Sequence, residues 1–236
     1  MSAIRSILSD SGKTYALLIG LFLSLLFLGT AFSSITLAVL STYSAWQIIR
    51  NKHVPGFEWS MLLPILLYGI YVTSIIWTIN PELTHRGLGR TFTLFFIPLL
   101  IWAMPKITKS NRNFIFEIFT NANCIYALVF LSTSLITYIK TGSLSALTYH
   151  DLVDVLELNA IYVSVYFLIS LIFLLNKKPK DRWDIFRMLF LSGMLLLLSS
   201  KMIITGAILI FIIHAVFLSG IKEIFKPRVL IPIGVI

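Results

Sequence analysis

The chain has 236 residues, of which 58% are hydrophobic and only 12% charged, with a mean hydropathy of +0.92. That composition excludes an ordinary soluble domain and points to an all-α, polytopic membrane protein. One cysteine, Cys124, excludes disulfides, cysteine-based zinc sites and cysteine-pair redox chemistry, and the net charge of +9 is read as an orientation signal, with no nucleic acid implied.

Residues 1–14, with Arg5 and Lys13, form a polar lead. Residues 15–49 are apolar apart from a small, hydroxylic turn at 29–34, and read as two spans. No small-residue cleavage site follows a short apolar region, so a removable signal peptide is not expected. The basic loop Arg50-Asn51-Lys52-His53 precedes a third span over 60–78, in which Pro64 is a tolerated kink. A polar loop over 80–90 leads to a short fourth span, roughly 91–104, carrying Pro98.

Lys106, Lys109 and Arg112 mark a basic loop before the fifth span, 114–139. A longer polar loop, 140–157, holds His150, Asp151, Asp154 and Glu157. The sixth span, 158–175, ends in the basic run Lys177-Lys178-Pro179-Lys180-Asp181-Arg182.

From 188 to 219 every residue except Lys201 and His214 is apolar, small or hydroxylic. A helix over that run would be about 48 Å long, against a hydrocarbon core of about 30 Å. The run is too long for one span and short for two, so it reads as a hairpin whose tip, Ser199-Ser200-Lys201, stays near the membrane boundary. Lys201 then has two readings: a cation held for a purpose, or a side chain that snorkels to the interface and marks the turn.

Lysine and arginine set the sides. With the N-terminus in the cytoplasm, only Arg86, Arg90, Lys140 and Lys201 of the 19 basic residues lie outside. Reading 188–219 as one span would move Lys222, Lys226 and Arg228 outside as well, which favours the hairpin. The expectation is a bundle of about eight spans, with the start of a ninth at 229–236. Residues 1–236 are thus expected to be a single transmembrane domain, the N-terminal part of a longer protein.

Three stretches carry a family resemblance: Leu94-Phe95-Phe96-Ile97-Pro98-Leu99-Leu100; residues 150–166, ending LNAIYVSVY; and LLLLSSK at 195–201 followed by a small, apolar helix over 203–215. In order and layout the chain resembles the N-terminal half of the O-antigen ligase and O-antigen polymerase family. The resemblance implies a glycosyltransferase in the bacterial inner (cytoplasmic) membrane. Its donor would be an undecaprenyl-diphosphate-linked glycan and its acceptor a glycan or lipid A-core, in lipopolysaccharide O-antigen biosynthesis. Lys201 stands where that family usually has arginine, keeping the charge for a phosphate but losing the planar fork. The family's proposed catalytic histidine belongs to a large extracytoplasmic loop expected beyond Ile236, so the catalytic residues are not assigned here.

On this reading Lys201 holds the diphosphate, with Arg86 and Arg90 as further candidates. These two arginines lie four apart and share a face if their loop is helical, although Gly87 and Gly89 weaken that helix; anchoring to lipid headgroups is the other reading. His150, Asp151, Asp154 and Glu157 are candidates for the acceptor side, and a solvated loop is the alternative. Glu117 is expected to pair with Arg112 or Lys109, Asn121 and Asn123 to bridge helices, His214 to hydrogen-bond a neighbouring helix, and His85 to be loop surface. No spacing of histidines and acids suggests a metal, and no cofactor is expected. The competing function is a transporter or flippase of lipid-linked or anionic substrates, with Lys201 as its binding cation; no repeat relates the two halves.

The topology has a direct check. Thiol labelling in a Cys124→Ser background should find a cysteine placed at Lys178 on the cytoplasmic side and one placed at Ser145 on the outer side. Labelling of position 145 from the cytoplasm would overturn the map.

Overall fold

The computed structural model describes residues 11–51, 59–198 and 201–213, and every regular element among them is helical. The chain divides into two compact units, Met1–Ile115 and Phe116–Ile236.

In the first unit, α1 (Ser11–Ser24) runs on as a 3-10 turn, Leu25–Leu28. Gly29, at φ 87°, reverses the chain in a conformation that a side chain would strain, and α2 (Thr30–Asn51) returns along α1. The hydroxyls of α2 do not need a polar surrounding, because they bond back to their own helix: Ser41 Oγ donates to the Leu37 carbonyl at 2.6 Å and Ser44 Oγ to that of Leu40 at 2.8 Å. Tyr15 and Leu40 are buried with Leu100 and Met104. The third helix, α3 (Leu62–Thr73), is extended by 3-10 turns into a rod, Trp59–Ile76, that buries none of its residues in the protein. Its exposed Leu63, Leu66 and Ile70 make sense against lipid. Next come α4 (Pro81–Thr91) and α5 (Thr93–Trp102), and α5 packs on α3 with Tyr68 against Phe92 and Phe95.

The unit boundary falls in the early turns of α6 (Lys109–Thr141), a helix of 33 residues ended by Gly142 at φ 69°. A 3-10 turn, Leu144–Leu147, and the short α7 (Tyr149–Val153) follow, then α8 (Ala160–Asn176), α9 (Arg182–Leu197) and α10 (Lys201–Ile213). Both α9 and α10 pack on α8, so the two arms of the expected hairpin share one partner helix. Phe130, Phe167, Leu171, Leu174, Leu191 and Leu198 are fully buried there. Asn123 reaches across from α6 and donates through Nδ2 to the Tyr166 carbonyl at 3.1 Å and to Ser170 Oγ. Asn123 therefore does bridge helices.

Among the described residues three helices are long and apolar enough to cross a membrane: Ser11–Leu28, Trp59–Ile76 and Lys109–Thr141. A fourth would be the pair Tyr149–Leu156 and Ala160–Asn176, bent by 89°. The protein is thus all-helical among the described residues, with helices suited to a membrane. The remaining expected spans are shorter or more polar: α2 is hydroxyl-rich, α4 and α5 divide at Phe92, and α10 has 13 described residues. The loop expected over 140–157 is folded, because Ala146, Leu152 and Val153 turn inward and Ser134 Oγ donates to the Leu152 carbonyl at 3.1 Å. Ser199, Ser200, His214 and the expected ninth span lie outside the described residues.

Replacing Asn123 with leucine keeps its bulk, removes both bonds to α8 and also removes Oδ1, which is buried without a protein partner. These effects offset in part, so Asn123→Leu should lower stability by about 1 kcal/mol, read by thermal unfolding in detergent. A loss several times larger would mean that Asn123 supports more than the α6–α8 contact.

Candidate functional site

A cavity of about 450 Å³ lies where the last turns of α6 meet the folded segment that follows. Thr133, Thr137 and Thr141 recur every fourth residue along α6, so they stand one above another on a single face. Ser134, Ser143 and Ser145 add hydroxyls, and Asp151 and Asp154 bring two carboxylates from the α7 segment. Two residues with positive φ bracket that segment, Tyr149 at 53° and Glu157 at 51°. Each costs about 1–2 kcal/mol for a residue with a Cβ. The segment is held in this shape by its buried Leu152 and Val153, and by the Asn159 cap, whose side chain accepts from Ile161 N at 2.9 Å to start α8.

Of the four acceptor-side candidates, the structure brings Asp151 and Asp154 together in this cavity. His150 is exposed with its ring 4.1 Å from that of Tyr149, and Glu157 is exposed at the turn; neither lines the cavity. Lys201 is exposed as the first residue of α10, and its side chain has no ion pair or hydrogen bond among the described residues. Chain direction puts it at the cavity's end of the second unit. The short connection from α8 to α9 makes those helices antiparallel neighbours, so the start of α8, the end of α9 and the start of α10 fall on the same side.

Arg86 and Arg90 belong to the first unit. Their loop is the helix α4, started by Pro81 at its first position and by Asn80, whose side chain accepts from Leu83 N at 3.1 Å. These start signals outweigh Gly87 and Gly89. Arg86 Nη2 donates to Glu82 Oε1 at 2.6 Å, an exposed pair one turn apart, whereas Arg90 is exposed with no such partner among the described residues.

The opposite end of the second unit is closed by charges. Glu117 pairs neither with Arg112 nor with Lys109: it accepts from Lys177 Nζ at 3.2 Å and from Arg187 Nη1 at 2.7 Å. Helical phase explains the difference, since five residues at 100° each carry Arg112 well off the face of Glu117, and Lys109 is two turns away. Asp184, fully buried, accepts from Lys177 Nζ at 2.9 Å and from Arg187 Nη2, and it closes a reciprocal cap with Asp181 at the start of α9. Asn121 Oδ1 accepts from Arg187 Nη1 at 2.6 Å, the second helix-bridging asparagine. Arg187 Nε is buried without a protein acceptor, a cost that the bonds at Nη1 and Nη2 outweigh.

Asp184 and Lys177 lie outside the helices apolar enough to span, and their proton equilibria follow from their partners. Burial disfavours the charge on Asp184, but hydrogen bonds from Lys177, the Asp181 backbone and Arg187 prevail and hold its carboxyl below the ordinary aspartate range. Burial likewise opposes the charge on Lys177, and its bonds to Asp184 and Glu117 prevail, so the ammonium keeps its proton above the ordinary lysine range.

Comparison with protein-family models, curated proteins and solved structures finds no match. Among the described residues no group of three or more histidine, cysteine, aspartate or glutamate side chains could hold a metal ion. What the geometry offers instead is a hydroxyl-lined, doubly acidic cavity and, on the same side, a cation with no partner among the described residues. The threonine ladder was present in the sequence at four-residue spacing but was absorbed into an apolar span. Arg187 was hidden because it closely precedes the long apolar run.

The ion cluster makes a signed pH prediction. The depressed carboxyl of Asp184 contributes stability that is complete above its ordinary value of 3.8 and is lost as pH falls through its lower folded value. Asp184→Asn should therefore cost about 3 kcal/mol at neutral pH, because Arg187 and Lys177 lose a buried counter-charge. In thermal unfolding, the gap between wild type and variant should be flat from about pH 5 to pH 8 and narrow below about pH 4. A gap that widens in acid would refute the assignment.

Proposed function

We propose that this chain belongs to a membrane glycosyltransferase of the O-antigen ligase type. It would take glycan from an undecaprenyl-diphosphate donor at the outer face of the bacterial inner membrane and pass it to a glycan or lipid A-core acceptor. The arrangement of about eight spans with a cytoplasmic N-terminus belongs to this proposal. The observation that carries it is the placement of Lys201, unpaired among the described residues at the start of α10, on the side of the second unit that also holds the Asp151 and Asp154 cavity. A departing diphosphate needs positive charge, and Lys201 adds its ammonium to the positive end of a helix. Arg90 and Arg86 belong to the first unit and stay candidates for a phosphate contact there, Arg86 only after leaving Glu82.

One observation favours transport of a lipid-linked or anionic substrate: the 89° break between Tyr149–Leu156 and Ala160–Asn176, since broken helices line binding sites in transporters. The two readings part in one assay. In the full-length protein, Lys201→Gln should reduce glycan transfer about 100-fold while Lys201→Arg retains it, provided expression and insertion match wild type. Wild-type transfer by a well-inserted Lys201→Gln protein would return Lys201 to an interfacial anchor. Flux of lipid-linked glycan across proteoliposomes without any transfer would establish the transporter.

A further inference from the structure

We infer that the cavity at the end of α6 is a binding site for a neutral, hydroxyl-rich ligand, a sugar ring of the acceptor, and that it recognises the ligand by presenting almost only hydrogen-bond acceptors. The inference rests on the transferase reading for the word acceptor, but the recognition chemistry follows from the cavity itself.

The hydroxyl protons on α6 are already committed. Thr133 Oγ1 donates to the Val129 carbonyl at 2.9 Å, Thr137 Oγ1 to that of Thr133 at 3.1 Å, Thr141 Oγ1 to that of Thr137 at 2.8 Å, and Ser134 Oγ to that of Leu152 at 3.1 Å. Each of these oxygens keeps lone pairs but has no proton to give. Ser143 and Ser145 share one bond between their hydroxyls at 2.9 Å, which leaves one proton between them. Asp151 and Asp154 have no ion pair or side-chain hydrogen bond among the described residues, and an ionised carboxylate only accepts.

A cavity lined in this way rejects phosphate and carboxylate, which bring acceptors against acceptors and negative charge against two carboxylates. It selects a ligand with many donors, and a sugar ring presents O–H groups on several sides. A bare cation would also satisfy the carboxylates, but about 450 Å³ lies in the range of small-molecule sites and far exceeds what one ion fills. The diphosphate of the donor is therefore kept for Lys201, and the sugar to be extended sits with the aspartates. This division assigns the two ligands of a transfer reaction to different chemistry on one side of the second unit.

The test is saturation-transfer NMR on the full-length protein in detergent, with N-acetylglucosamine and methyl α-glucoside as probes and Ca²⁺ as the competing ion. Both sugars should receive saturation, with weak affinity as befits small, solvated ligands. Asp151→Asn with Asp154→Asn should weaken binding by about tenfold or more, since charged acceptors make the stronger bonds. Thr137→Val removes one acceptor at constant shape and should weaken it several-fold, with the fold retained by thermal unfolding. Lys201→Gln should leave sugar binding unchanged. The inference is overturned if a folded wild-type protein binds neither sugar, if the double aspartate variant binds as wild type, or if Ca²⁺ binds and displaces the sugars. Binding of undecaprenyl diphosphate, measured on the same samples, separates the two claims. Lipid binding without sugar binding removes the cavity's role and spares the transferase reading, whereas sugar binding with Lys201-independent lipid binding does the reverse.

Discussion

Four charges at one end of the second unit decide how its helices can be arranged. Glu117 on α6, Lys177 at the end of α8, and Asp184 and Arg187 on α9 form a balanced set, two of each sign, joined by bonds that run between all three helices. Burying Asp184 alone would be prohibitive, and burying Arg187 alone hardly less so. Each is tolerable only with the others in place, and sliding α9 along α6 by one turn would cost Arg187 at least one of its two partners there, Glu117 or Asn121. The cluster thereby fixes the register of α6 against α8 and α9, a role for buried ion pairs that apolar packing alone fills less selectively.

With that end locked, the other is free to be less stable. There the hydroxyls of α6 are satisfied within their own helix, which permits threonines in an apolar surrounding at little cost. The same bonding strips the threonines of donors and leaves a surface of oxygens. Two positive-φ residues and an 89° turn then carry the chain from α6 into α8, a strained route by comparison with a plain helical hairpin. Strain of this kind survives where surrounding packing pays for it, and Leu152, Val153 and Ala160 are all fully buried around it.

Helix content, the membrane class and most helix positions were legible from apolar runs and basic loops, because hydropathy reports directly on what a membrane demands. Asn123 was legible as a bridge, since an amide deep in an apolar helix has few other uses. The partners of Glu117 were not, because they come from residues 60 and 70 positions away and the chain offers two nearer cations as decoys. The polar residues of the folded 140–157 segment give it the look of a loop, while its few apolar ones, Ala146, Leu152 and Val153, decide its fold by being buried. Hydroxyl spacing at every fourth residue was visible throughout, yet nothing local said that Asp151 and Asp154 would close over it. Only the pairing of α6 with α7 makes those residues neighbours.

Lys201 and the aspartate cavity draw their meaning from this separation of roles. A cation at a helix start attracts anions, and a cavity with two carboxylates and almost only acceptors repels them, so one ligand does not suit both. Were the chain a carrier for a single anionic substrate, two carboxylates on the same side of the bundle as its binding lysine would oppose loading. Were it a transferase, the same opposition would sort a negatively charged donor from a neutral acceptor before either reacts. The locked charge cluster at the far end supports this reading further, because a rocking motion of α6 against α8 and α9 would have to break four buried or half-buried ion pairs in each cycle. Chemistry at one face needs no such motion.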